Sequence, residues 1–286
     1  MKHVRKLGLA AILVGGVGLA TRPLVHRAVF PGADTPIPET AALDRLSRGA
    51  ERLDFAGADG TRLVAAWIPA REPVANAIYF HATNQAAADS LLFARDLAAR
   101  GVSVCVPEHR GYGGLAGTPS VDAILDDARA AVTACPAIGP RILVGRSLGS
   151  GVAATMAGEG GADALVLVSP FTSLSRVASP FGWALAPADR LDSTAALTRV
   201  RVPITVVHGT RDGLVPFRMG REIADATGAK LIALDGVGHN ELFLGEARTK
   251  LLDAIVDAAA AKLTEQPFDS LRSLRVRAAK GSADAS

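Results

Sequence analysis

Aromatic residues are scarce in this chain. Phenylalanine, tyrosine and tryptophan together make up 5% of its 286 residues. There are two cysteines, Cys105 and Cys135, with no Cys-x-x-Cys spacing, which excludes a disulfide framework and a thiol redox motif of that type. Cys105 falls within an apolar run and reads as a core residue. No His-Glu-x-x-His, Walker or EF-hand spacing occurs, so no metal is expected. Gly111, Gly113, Gly114 and Gly117 follow an apolar run but miss the Gly-x-Gly-x-x-Gly spacing, and Pro119 interrupts the helix that a dinucleotide loop needs. No cofactor is therefore expected. Residues 1–30 lack acidic side chains entirely but hold Lys2, Arg5, Lys6, Arg22 and Arg27. The net charge of +3 is thus an N-terminal property, and the remaining 256 residues sum to two negative charges. Such a body lacks the basic footprint of nucleic-acid binding, and no nucleic-acid partner is expected.

What is present is the composition of a folded protein, 49% hydrophobic and 21% charged, at a length for one large domain or two small ones. Lys2, Arg5 and Lys6 precede the uncharged run Leu7–Ala20, 14 residues long. This fits the apolar region of a secretory signal better than a full membrane span of about 20 residues. Arg22 follows at once, so a retained anchor is the other reading. Either way the body is expected to be exported or held at a membrane through residues 7–20. Residues 1–33 read as this segment plus the start of a Pro-rich linker, PGADTPIP at 31–38, so that removal of residues 1–30 should leave the fold intact.

The chain then alternates strand and helix. Glu51–Phe55 and Thr61–Ile68 read as a hairpin around Ala58-Asp59-Gly60. Short apolar runs at Ala75–Phe80, Val102–Pro107, Ile142–Gly145, Ala164–Ser169, Ile204–His208 and Lys230–Leu234 read as further strands. Gln85–Arg100, Val121–Cys135, Phe217–Thr227 and Leu242–Lys262 read as helices. This pattern predicts an α/β domain over residues 34–263, a mostly parallel, doubly wound sheet of about eight strands with helices on both faces. Residues 170–201 form a short cap insertion carrying Phe171, Phe181, Trp183, Asp189 and Asp192, which reads equally as a surface helix pair. Residues 264–286 read as a polar tail.

Gly145-Arg146-Ser147-Leu148-Gly149 is Gly-x-Ser-x-Gly between a buried strand and a helix start. That context distinguishes a nucleophile elbow from a glycine-bounded turn with a capping serine. The serine must sit on a sharp turn, with neighbouring backbone passing close on both sides. The Leu148 amide would then face a developing oxyanion at a helix N-terminus. A serine hydroxyl needs a base. Of six histidines, His239 lies in the glycine-rich loop between the last strand and last helix. The carboxylate candidate is Asp212, after strand Ile204–His208; its rival Asp235 shares the loop of His239. The chain order Ser147, Asp212, His239 is that of one triad class and not of chymotrypsin or subtilisin.

These stretches together resemble the α/β-hydrolase superfamily, specifically lid-poor serine hydrolases of the Bem46 type. The resemblance covers about residues 34–263 and is carried by Ile78–His81, His109-Arg110-Gly111-Tyr112-Gly113-Gly114, Gly145–Gly149, Ser169-Pro170-Phe171-Thr172-Ser173, Val202-Pro203, His208–Asp212 and Gly238-His239-Asn240. It implies the α/β-hydrolase fold and a second oxyanion amide at Thr83. Here the chain departs from the family, with Ala82 where glycine is usual after His81. The expected activity is that of a serine hydrolase on small acyl substrates, carboxylic esters or thioesters. A peptidase or amidase with the same machinery is the alternative, and a degenerate fold kept as a binding module is the third reading. The shortness of 170–201 predicts a preference for short acyl groups.

Overall fold

In the computed structural model, residues 29–34, 50–178 and 191–264 are described. Eight strands form one sheet: β1 (Glu51–Ala56), β2 (Arg62–Ile68), β3 (Ala75–Phe80), β4 (Val102–Pro107), β5 (Arg141–Arg146), β6 (Ala164–Val168), β7 (Ile204–Gly209) and β8 (Lys230–Leu234). Their spatial order is β1-β2-β4-β3-β5-β6-β7-β8. The first two pairings are antiparallel, and every pairing from β4–β3 to β7–β8 is parallel. The helices are α1 (Leu91–Ala99), α2 (Val121–Ala134), α3 (Leu148–Gly158), α4 (Leu174–Ala178), α5 (Ser193–Leu197), α6 (Phe217–Thr227) and α7 (Gly245–Thr264).

The two-residue side-chain period of a strand sorts the core into two layers. Ile78, Phe80, Leu143, Leu165, Leu167 and Val206 face α2, α3, α5 and α6. Their neighbours Ala77, Tyr79, Ile142, Val144, Val166 and Val207 face α1 and α7. Strands buried on both faces need apolar residues at nearly every position, which is why β5 and β6 read RILVGR and ALVLV. Each fully buried Val, Leu or Ile contributes about 1.5–3 kcal/mol.

Strand order reverses between β3 and β5, because β4 lies on one side of β3 and β5 on the other. The chain leaves β3 toward α1 on one face and leaves β5 into α3 on the opposite face. The loops after these strands diverge and open a crevice at the carboxyl edge of the sheet, the usual ligand position in such folds.

Local departures from the sequence reading have identifiable causes. The helix expected over Gln85–Arg100 begins with a tight 3-10 turn, Ala87–Ser90. There the Asp89 carboxylate takes the Ala86 amide, and the Glu108 carboxylate takes the Ala87 amide. The last helix starts at Gly245 rather than Leu242, because Leu244 is extended behind a separate 3-10 turn, Glu241–Phe243. The expected linker is structured where it begins: Pro31–Asp34 is a 3-10 helix, and Phe30 is buried in the core. Cys105 is a core residue, yet not a lone one. It forms a disulfide with Cys135, which caps the C-terminus of α2. Residues 179–190 of the insertion, with Phe181, Trp183 and Asp189, lie outside the described residues, as do residues 7–20 and 265–286. At its base, Ser173 bridges to Asp192, and Asp192 caps α5 through the Ala195 amide. Among the described residues no helix is long and apolar enough to cross a membrane.

Two stability measurements follow. Replacing Cys105 and Cys135 by alanine should lower unfolding free energy by about 2–4 kcal/mol, and the oxidised parent, denatured without reductant, should show no free thiol. A full thiol titre would exclude the bond. Deleting residues 1–20 should leave the melting temperature near that of the full chain, whereas deleting 1–34 removes buried Phe30. Emptying such a site costs about 3–5 kcal/mol, or roughly 10 °C in a domain of this size. Equal melting temperatures for the two truncations would show that Phe30 is dispensable.

Candidate active site

The elbow is set by two close backbone contacts. A Cβ on Gly145 would lie 2.1 Å from the Gly149 carbonyl oxygen, and one on Gly149 would lie 2.1 Å from that of Phe80. Any larger residue at either position would displace backbone, so both glycines are sterically required. Ser147 between them has φ of 50° and ψ of −117°. A non-glycine residue with positive φ costs about 1–3 kcal/mol and persists only where its surroundings over-determine it. Here the Ser147 amide donates to Val168 O at 3.0 Å, and Ser147 O accepts from the Ser150 amide and hydroxyl at 2.9 and 2.6 Å. Leu148 opens α3, so its amide belongs to the first turn, where N–H groups lack intrahelical acceptors.

Asp212 lies beyond β7 and His239 beyond β8, two adjacent parallel strands. The structure brings them together: His239 Nδ1 donates to Asp212 Oδ2 at 2.7 Å. The other carboxylate oxygen accepts the Leu214 and Val215 amides at 3.0 and 2.8 Å. An ionised carboxylate can only accept, so His239 carries its proton on Nδ1 and its basic lone pair on Nε2. Asp235 is held elsewhere, accepting from the Thr210 hydroxyl at 3.1 Å.

Burial pushes the Asp212 carboxyl up, but hydrogen bonds from His208 and His239, with the Val215 amide, outweigh it and hold the group well below the usual carboxylate range. His208 is fully buried; its Nε2 lies 2.9 Å from Val215 O and 3.3 Å from Asp212 Oδ2. It thus supports both the carboxylate and the turn that carries it. From the sequence His208 ends a strand and opens the stretch His208–Asp212, and its spacing of four from Asp212 is a usable signal of their contact.

The loop after β3 rests on a buried polar cluster that the sequence reading did not assemble. His81 Nε2 lies 2.9 Å from Glu108 Oε1, and the His81 and His109 rings are 4.1 Å apart. Burial, then the neighbouring His81, pushes the His109 imidazole well below its usual value, so it stays neutral. The Thr83 hydroxyl donates to Val29 O and lies 3.1 Å from the Tyr112 hydroxyl. The N-terminal segment therefore touches the loop of the expected second oxyanion amide. Arg146, inside the elbow motif, is only 3% exposed and reaches the loop of His239. Among the described residues no group of side chains could hold a metal ion.

The architecture is the α/β-hydrolase fold. Residues 71–191 match the family model described as serine aminopeptidase, S33. An uncharacterized protein of Mycobacterium tuberculosis is 36% identical over 166 residues, covering 54% of this chain and 59% of the relative. The α/β-hydrolase domain-containing protein aho-3 of Caenorhabditis elegans is 31% identical over 163 residues, covering 54% and 49%. The chain therefore spans about half to three fifths of these relatives' lengths. Among solved structures, the Pyrococcus furiosus esterase Pf2001 superposes with a TM-score of 0.62 at 18% identity, over 76% of this chain and 92% of the esterase. These matches are what the chain is similar to, and the solved structure supports the fold alone.

The depressed Asp212 carboxyl has a measurable consequence. Its folded value lies below the unfolded one, so its stabilisation is complete above the unfolded value and is lost as pH falls through the folded one. In urea titrations, the stability difference between the parent and Asp212→Asn should hold steady near pH 5 and above and shrink below about pH 4. An undiminished difference at about pH 3 would show that the carboxylate's hydrogen bonds do not depress it.

Proposed function

We propose that this protein is a serine hydrolase that cleaves carboxylic esters or thioesters through Ser147, His239 and Asp212. The observation that carries this reading is the Asp212–His239 hydrogen bond of 2.7 Å, at the same carboxyl edge of the sheet as a serine held at φ of 50°. In the proposed reaction, His239 Nε2 takes the Ser147 proton as the hydroxyl oxygen attacks the acyl carbonyl. The oxyanion is held by the Leu148 and Thr83 amides. Collapse expels the alcohol or thiol, which receives the proton from His239. Water then attacks the acyl-enzyme, giving its proton to His239, and the acid leaves as Ser147 is reprotonated. Asp212 fixes the imidazole tautomer and stabilises the transient cation.

The description of the matched family favours an aminopeptidase as the second reading. Such an enzyme needs a free carboxylate for the substrate's ammonium group. Among the described residues, the acids in the loops around the elbow and His239 are already engaged. Glu108 accepts two backbone amides and faces His81, Asp235 takes Thr210, and Glu241 takes the Gly238 amide at 2.8 Å. This supports an uncharged acyl ester over a peptide N-terminus. Export, or tethering through residues 7–20, agrees with the Cys105–Cys135 disulfide, a bond of oxidising compartments.

A fluorophosphonate probe should label the parent and fail to label Ser147→Ala. Asp212→Asn should lower kcat by about 10³–10⁴-fold, with KM little changed, while Asp235→Asn stays within about threefold of the parent. Loss of activity in Asp235→Asn alone would redraw the triad. A panel of C4 and C16 esters, thioesters and aminoacyl amides then reads the substrate class. Faster turnover of the amides would favour the aminopeptidase reading.

A further inference from the structure

Arg146 stands between Gly145 and Ser147 at the end of β5, and its side chain is turned away from solvent. Its Nη2 donates to Asn240 Oδ1 at 2.8 Å and lies 3.4 Å from His239 O. The guanidinium carbon sits 4.6 Å from the centre of the Phe243 ring. Nε has no partner. Asn240 precedes and Phe243 ends the 3-10 turn that follows His239, so one side chain reaches from the elbow to both ends of that turn.

Taking a guanidinium out of water costs several kcal/mol when its acceptors are neutral. Among the described residues its acceptors are an amide and a backbone carbonyl, and Nε goes unused. A methionine would fill similar space without that cost, so packing does not account for the charge. What Arg146 provides is a direct link between the elbow and the loop of His239. The bond from Nδ1 to Asp212 fixes one edge of the imidazole, but leaves the backbone beneath it to be held by other contacts. Arg146 contacts that backbone at His239 itself. Ser147 and His239 are thereby referenced to one residue rather than to two independent loops.

We infer that Arg146 is a positioning residue that clamps the loop of His239 to the nucleophile elbow and so sets the spacing between base and nucleophile. This rests on the serine-hydrolase reading above. Burial pushes the Arg146 guanidinium below its usual value, opposed by nearby Tyr79 and Asp212, a balance in keeping with a desolvated cation beside the site.

The test is a double-mutant cycle on the full chain, using the best ester of the panel. A misplacement of about 1 Å can cost 10²-fold in rate. Arg146→Met should therefore lower kcat about 10–100-fold with KM within about threefold, and slow fluorophosphonate labelling in parallel. Arg146→Lys should recover part of that loss. Asn240 is exposed, so Asn240→Ala keeps the test available if Arg146→Met does not fold. It should lower kcat by about 3–10-fold, and the double variant should be no worse than Arg146→Met alone. Parental kcat per folded molecule in either single variant, or losses that simply multiply in the double variant, would overturn the clamp. Ser147→Ala is run alongside. If it keeps activity, the serine-hydrolase reading fails; if it is inactive while Arg146→Met and Asn240→Ala turn over normally, only the clamp fails.

Discussion

The approach of Gly149 to the end of β3 is the constraint on which the rest of the site depends. With a Cβ position only 2.1 Å from Phe80 O, the first turn of α3 is pressed against the neighbouring strand. That contact forces the chain to reverse within one residue after β5, and Ser147 absorbs the reversal at φ of 50°. The same contact brings the first amides of α3 beside the loop that carries Thr83. One steric fact thus couples a strained serine to the two strand ends that flank the switch in strand order. The conformational cost at Ser147 is borne by the sheet, since Val168 on the next strand accepts its amide.

The fold was largely legible because its signals are local and repeated. Continuous apolar runs at β5 and β6 can only be buried on both faces, and such strands separated by helical stretches leave few architectures. The elbow was legible for a similar reason, since two glycines at fixed offsets from a serine record a steric requirement in the residues themselves. Asp212 and His239 could be singled out by chain order and by their places after strands. Their hydrogen bond needed the structure, because no local pattern states which of two acids faces a histidine 27 residues from the first and four from the second.

What escaped the sequence was set by tertiary context. Phe30 follows a run that reads as an address and precedes prolines, so nothing local marks it as core; it is buried because the body supplies a site for it. The Cys105–Cys135 bond was missed since one pair makes no framework, and separation along the chain does not show that a strand and a helix end face each other. Glu108 carries no sequence signal of its own and His81 stands at a strand end, and only the β3–β4 pairing brings their buried side chains together. Arg146 was hidden by its own motif: the variable position of Gly-x-Ser-x-Gly carries no rule, so a charge there draws no attention until its burial is measured.

These missed contacts share a direction. Val29 O receives the Thr83 hydroxyl, Glu108 steadies the turn after His81, His208 braces Asp212, and Arg146 reaches the loop of His239. Each tethers a loop at the carboxyl edge of the sheet to another part of the body. Loops supply chemistry because they are free to vary, yet a reacting constellation needs tolerances near 0.5 Å. Buried polar side chains meet that demand better than apolar packing does, because a hydrogen bond fixes direction as well as distance. The cost of desolvating them is tolerable only where position matters more than stability. The convergence of these contacts on the loops of Ser147, Asp212 and His239 therefore supports reading this edge as the place where the protein acts.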